Sequence, residues 1–224
     1  MTTRPWSLGR LASILAQPLT LHRRCLIGMG WRWIWPDLVG RISYGLQRWW
    51  FGIEQEGPPK VYGKAQIIKA PGAVIHLGRD VILNSSSIRT VASSLYAPIR
   101  IAALSPDARI EIGDGVGLNG TSITARSRKI SIGDGTLLGP NVTIVDGHYH
   151  ILWPADQRGS NVDIPGDQDV VIGKNVWVGM QSMILKGVTI GDGSIIAAGS
   201  IVTGDIPENV LAGGIPARVI RSLP

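Results

Sequence analysis

Six aliphatic residues, Ile172, Val178, Ile184, Ile190, Ile196 and Val202, recur at strict six-residue intervals. A period of six is too short for a helix–turn–helix unit and too long for plain strand alternation. It suits short straight segments that each turn one aliphatic inward and end at a corner. The residue after each is mostly small, as at Gly173, Gly179, Gly191 and Ala197, with Leu185 and Thr203 departing from the pattern. The spacing therefore predicts an all-β chain wound into a parallel β-helix. The same phase runs through Ile132-Gly133, Leu138-Gly139 and Ile144, and earlier through Ile112-Gly113 and Leu118-Asn119, with weaker echoes at Leu77-Gly78 and Leu83-Asn84. Pairs such as Asp114-Gly115, Asp134-Gly135 and Asp192-Gly193 suit the corners, because these residues tolerate the backbone angles of tight turns.

Breaks in the register carry as much information as the repeat. Ile112 and Ile132 are 20 residues apart, two more than three hexads, which places a small bulge or loop near Ala125 to Lys129. Ile144 and Ile172 are 28 apart, and the interval holds Asp146, Gly147, His148, Tyr149, His150, Trp153, Pro154 and Pro165. Residues 146–169 are thus expected to leave the β-helix as one extruded loop, a location where repeat proteins commonly carry function.

Composition divides the chain further. Residues 1–60 hold eight Arg or Lys against three acids and six of the eight tryptophans, while the remainder is nearly balanced at fourteen against thirteen. The expected organisation is an N-terminal extension over 1–60, a β-helix over 61–213 and a C-terminal tail over 214–224. In the extension, Leu8, Leu11, Ile14 and Leu15 have helical spacing that Pro18 ends, Trp31 to Pro36 reads as strand-like or irregular, and Asp37 to Trp50 as a second helix. The apolar run around Leu11 to Leu21 is shorter than the ~18 residues of a membrane span, so neither a transmembrane helix nor a signal peptide is expected. Such a segment can cap the first coil. The alternative is that its interleaved Arg and Trp touch a membrane surface or a lipid-linked glycan. Nucleic acid is not an expected partner, since no recognition motif accompanies the charge. The single Cys25 excludes a disulfide framework within the chain and any cysteine-rich metal cluster, and points to a reducing, cytoplasmic setting, peripheral to the membrane if the extension touches it.

Residues 112–220, and less firmly 61–111, resemble the hexapeptide-repeat acyltransferases, in particular bacterial sugar O-acetyltransferases such as the galactoside and maltose acetyltransferases. The resemblance rests on Ile172-Gly173-Lys174-Asn175-Val176-Trp177-Val178-Gly179, on Gly187 to Asp192, and on Gly213-Gly214-Ile215-Pro216-Ala217-Arg218-Val219-Ile220. It implies a left-handed coil, a homotrimer, and acetyl-CoA bound between neighbouring subunits. It also implies a sugar hydroxyl as acceptor, in surface polysaccharide or related glycan biosynthesis. No metal is expected.

Transfer of an acetyl group to a hydroxyl needs a base that works near neutral pH, and histidine has the fitting intrinsic pKa. Two of the four histidines lie in the expected loop. The family's pattern of Asp, spacers, aromatic and His selects His150 as base, with His148, part of a Gly-His pair, as the rival and Asp146 as the carboxylate that orients either ring. By the same resemblance Asn119, with Asn84 and Ser85, faces the acceptor, although asparagines there also suit a corner ladder. Trp177, Ala198, Gly199, Ser200 and Thr203 line the coenzyme path, and Arg218 and Arg221 meet its phosphates. Gly204 and Met180 stand where relatives carry lysine and serine. Two other readings share the architecture: an N-acetyltransferase acting on an amino sugar, and a carbonic-anhydrase-like zinc enzyme drawing on His148, His150 and the remote His76.

Overall fold

The computed structural model describes residues 21–90, 92–159 and 166–224. Three sheets form the sides of a prism, and successive strands pass from face to face. The first face is β1 (Glu54–Gln55), β4 (Val74–Leu77), β7 (Arg109–Ile112), β10 (Lys129–Ile132), β13 (Val170–Ile172) and β16 (Thr189–Ile190). On the second lie β2 (Lys60–Tyr62), β5 (Ile82–Asn84), β8 (Gly117–Asn119), β11 (Leu137–Leu138), β14 (Trp177–Val178), β17 (Ile195–Ile196), β19 (Val210–Gly214) and β20 (Ala217–Ser222). The third is β3 (Gln66–Lys69), β6 (Arg100–Ala103), β9 (Ser122–Ala125), β12 (Thr143–Val145), β15 (Met183–Ile184) and β18 (Ile201–Val202). All pairings are parallel except β19 with β20, whose hairpin carries residues 217–222 onto the second face.

The hexad aliphatics stack in register. Leu77, Ile112, Ile132, Ile172 and Ile190 pair in sequence up the first face, and all are buried. Each fully buried aliphatic stabilises the coil by roughly 1.5–3 kcal/mol, so the ladder, not any single coil, holds the fold. The small residue that follows is a steric requirement: a Cβ on Gly133 would lie 2.6 Å from the carbonyl carbon of Gly173 in the next coil.

Both register breaks fall where the spacing puts them. Ile112 pairs directly with Ile132, so the two extra residues sit in the corner Arg126 to Arg128 between β9 and β10. Residues 146–169 leave between β12 and β13; of these, 160–165 lie outside the described residues. A second excursion, residues 85–99 between β5 and β6, was not anticipated, because the hexads around it are too weak to reveal an interruption. It lies along the corner of the second and third faces, where Asn141 accepts from the Tyr96 N–H (2.9 Å) and donates to the Ser94 carbonyl (3.0 Å).

The N-terminal region departs from expectation. A single helix, α1 (Leu21–Phe51), runs through the segment read as strand-like and contains Pro36 in its interior. Proline there removes a helical hydrogen bond. Docking against the first coils compensates. Tyr44 is buried and donates to Gln55 Oε1 (2.7 Å), Gln47 donates to the Ala65 carbonyl (3.0 Å) and accepts from the Ile67 N–H (2.8 Å), and buried Asp37 pairs with Arg89. The Arg89 guanidinium lies 4.1 Å from the centre of the Tyr62 ring. The helix expected around Leu8 to Leu15 lies outside the described residues.

Gly40 and Gly45 test this docking. A Cβ on Gly40 would stand 2.2 Å from the Gly63 carbonyl oxygen, whereas one on Gly45 meets nothing within 4 Å. Gly45→Ala should therefore raise stability by up to about 1 kcal/mol through helix propensity. Gly40→Ala should lower it and speed cleavage by chymotrypsin near Trp49 and Phe51. Thermal unfolding and limited proteolysis read both; equal behaviour of the two variants would refute the packing.

Candidate active site at the base of the extruded loop

Two aspartates clamp the stems of the loop. The buried Asp146 carboxylate accepts from the backbone N–H groups of Arg126 (2.7 and 2.8 Å), Ser127 (3.0 Å) and Arg128 (2.9 Å), the corner that holds the two extra residues. On the returning stem, Asp167 accepts from Arg126 Nε (2.7 Å) and Ser127 Oγ (2.6 Å) and pairs with the guanidinium through Nη2. Gln168 donates its N–H to the Asp146 carbonyl (2.9 Å), closing the two stems on each other. Burial pushes the Asp167 carboxyl up, but the hydrogen bonds from Arg126 and Ser127 outweigh it and hold the group below the usual carboxylate value. Gly147 admits this close approach, since a Cβ there would collide with the Asp167 carboxylate. Asp146, expected to orient an imidazole, thus orients the corner beneath the loop.

The two histidines diverge because of the residue between them. Tyr149 adopts φ 63°, and the His150 N–H donates to the His148 carbonyl at 2.7 Å. Such an i to i+2 turn with positive φ is rare and sharp. Tyr149 packs against the Arg126 guanidinium, 5.2 Å from ring centre to carbon. His148 then lines a cavity of about 410 Å³ together with Val145, Gly147, Gln168, Leu185, Lys186 and Thr203. Its Nε2 lies 3.1 Å from Lys186 Nζ, and Lys186 also donates to the Gly166 carbonyl. His150 is exposed, with Nδ1 2.7 Å from the Arg158 carbonyl. Lys186 and Gln168 went unnoticed in the sequence. The phase could have found the lysine: Ile144 pairs with Ile184, so position 186 lies at the same corner as 146.

The remaining expected site residues divide. Thr203 joins the cavity. Asn84 and Asn119 form a ladder inside the second face: Asn84 Nδ2 donates to Asn119 Oδ1 (3.1 Å), and Asn119 Nδ2 to the Leu138 carbonyl (2.9 Å). Ser85 Oγ accepts from the Ile99 N–H (2.9 Å), joining the two ends of the 85–99 excursion. Trp177 is 56% exposed on the outer side of the second face, in register with the exposed Leu137. Ala198 and Gly199 are exposed at a different corner, while Ser200 is buried, donating to the Ala197 carbonyl (2.6 Å) and accepting from the Gly214 N–H (3.2 Å). Its hydroxyl ties down the C-terminal hairpin. Arg218 and Arg221, exposed on that hairpin, donate to their local carbonyls.

A larger cleft of about 540 Å³ follows the corner of the first and second faces. Its two cations are already paired, Arg79 with Asp114 and Lys174 with Asp134 (2.9 Å), and it lies away from the extruded loop, whereas the smaller cleft unites loop, imidazole and ammonium. His76, the remote third imidazole of a zinc arrangement, stands on the first face, 3.7 Å from Glu54 and 3.5 Å from Glu56. Among the described residues no three His, Cys, Asp or Glu side chains cluster in a way that could hold a metal ion.

Residues 169–204 match the family model described as bacterial transferase hexapeptide, six repeats. The match identifies these coils as hexapeptide repeats, stacked here in a left-handed parallel β-helix that carries an N-terminal helix. The chain is 50% identical over 97 residues to galactoside O-acetyltransferase of Escherichia coli K12, covering 42% of this chain and 44% of that protein. It is 36% identical over 118 residues to a putative lipopolysaccharide biosynthesis O-acetyl transferase, WbbJ, of the same strain, covering 50% and 60%. The chain thus spans about half the length of the curated relatives it matches. Among solved structures, a galactoside acetyltransferase in complex with coenzyme A superposes with TM-score 0.51 at 24% identity, over 96% of this chain and 80% of that one. That likeness is one of fold.

The clamp predicts a pH signature. A carboxyl depressed in the folded state contributes stability that is complete above its unfolded value, about 3.9, and is lost as pH falls through the lower folded value. Asp167→Asn, which removes the carboxylate paired with the buried Arg126 guanidinium, should cost about 3 kcal/mol or more at pH 7. The gap to the wild-type chain should narrow only below about pH 4, as read by denaturant unfolding across pH. A gap independent of pH would remove Asp167 from the clamp.

Proposed function

We propose that the chain is an acetyl-CoA-dependent O-acetyltransferase that modifies a sugar hydroxyl of a surface polysaccharide or a lipid-linked glycan, working as a homotrimer. One observation carries the reading: His148 stands at the mouth of a cavity beside Lys186 and Thr203, at the root of the loop extruded from a hexapeptide β-helix. The names of the relatives supply the reaction class, and the coenzyme A complex of the fold neighbour supplies the donor to test.

In the proposed mechanism His148, in preference to His150, takes the proton of the acceptor hydroxyl. The cavity supports this choice, as does the direction of the turn at Tyr149. The acceptor oxygen attacks the thioester carbonyl, the C–S bond breaks, and the coenzyme leaves as a thiol carrying the proton from the imidazolium. The acceptor hydroxyl would replace Lys186 as the partner of Nε2. The displaced ammonium, kept close by the Gly166 carbonyl, would then oppose the negative charge that develops on the reacting oxygens. Trp177 and Arg218, both exposed on the second face, remain candidates for coenzyme contact, and Asn119 for the acceptor.

A screen of acceptor glycans with acetyl-CoA, following thiol release and locating the new acyl group, tests the reaction. An alkali-labile ester is expected; an amide would change the acceptor to an amino sugar. His148→Ala should lower kcat by about 10²-fold or more, and Lys186→Met by about tenfold or more, with oligomeric mass unchanged. His150→Ala should retain most activity. Full activity in His148→Ala together with loss in His150→Ala would transfer the role, and absence of both thiol release and coenzyme A binding would end the proposal.

A further inference from the structure

The face of α1 opposite its docking surface is apolar and uncovered. At 100° per residue, Gly40, Tyr44 and Gln47 point to the β-helix, whereas Trp31, Trp35, Leu38, Ile42, Leu46 and Trp49 fall within about 40° of one line on the far side. Each is substantially exposed, from 47% at Trp31 to 79% at Trp49. From residue 31 to 49 the stripe is about 27 Å long at 1.5 Å per residue.

Charge identifies the occupant. Arg32 flanks the stripe on one side and Arg41 and Arg48 on the other, all exposed, with Lys64 beside Ile42 and Leu46. The one acid of the helix, Asp37, is buried on the docked side and held by Arg89. We propose that this face is a membrane-binding surface that lies in the interface of a bilayer containing anionic lipid, tryptophans and aliphatics among the acyl chains and arginines at the headgroups. A tryptophan-bearing apolar stripe flanked by arginines is the pattern of a helix lying in the bilayer plane. No helix among the described residues is long and apolar enough to cross a membrane, so the contact is peripheral. A second copy fits less well: two such faces brought together would oppose arginine to arginine with no carboxylate between them. The proposal goes beyond acetyl transfer and does not depend on it.

The test is co-sedimentation of the full chain with vesicles of phosphatidylcholine alone or mixed with phosphatidylglycerol, at low and raised salt. The expected result is binding to the mixed vesicles that weakens with salt. Trp35→Ala and Trp49→Ala should each weaken it by about tenfold through lost apolar burial. Arg41→Gln and Arg48→Gln should each weaken it by about fivefold on mixed vesicles and leave any binding to phosphatidylcholine unchanged. Thermal unfolding and acetyltransferase activity in solution should be unchanged in all four variants. No binding to mixed vesicles overturns the proposal, as does equal binding to both vesicle types. A fall in oligomeric mass in Trp35→Ala or Trp49→Ala would assign the face to a second copy instead.

Discussion

Every coil of this chain borrows stability from the coils above and below it, through aliphatics stacked at one register and main-chain hydrogen bonds between parallel strands. Leu77, Ile112, Ile132, Ile172 and Ile190 are one such line, and it tolerates no slip. A shift by one residue would turn each aliphatic outward and drive side chains into positions that admit only glycine, as at Gly133. Extra residues must therefore leave the prism at a corner and return in phase. Both the two-residue excess at Arg126 to Arg128 and the excursion over 146–169 obey that rule.

The two insertions also support each other. The corner at Arg126 to Arg128 presents three backbone N–H groups and one guanidinium, and the loop stems present two carboxylates to receive them. An unpaired donor or charge in that position would be costly, while the pairing of these groups fixes where the loop begins and ends. The small register defect in one coil thus anchors the large one in the next.

How much was legible follows from the same physics. The hexads, the corners and the 146–169 loop were readable because inward aliphatics and turn residues leave a periodic trace. The length of α1 was not, because Pro36 argues for a break and the contacts that overrule it, Gln47 with Ala65 and Ile67 and Asp37 with Arg89, join residues far apart in sequence. The excursion over 85–99 was hidden by weak flanking repeats. Within the site, the pair of histidines was visible but their directions were not, since those depend on a positive φ at Tyr149, a residue type that gives no warning of it. Asp146 has the composition of a catalytic carboxylate and the hydrogen bonds of a structural one.

Stacking also explains how the candidate site is assembled. Val145, Leu185 and Thr203 each follow a paired aliphatic on the third face, Ile144 with Ile184 and Ile184 with Val202, so they reach one corner from three successive coils about 4.8 Å apart. His148 extends from the first of these, Lys186 from the second, and Thr203 belongs to the third. Val145, Leu185 and Thr203 are thus spaced by the rise of the coil, whereas His148 and Gln168 reach the cavity from the two stems of the loop. A residue change in one coil alters one chemical group and leaves the spacing of the others intact. The stacked coils thus hold the ammonium of Lys186, and the loop stem, fastened by Asp146 and Asp167 to the corner below it, brings the imidazole of His148 to that cation.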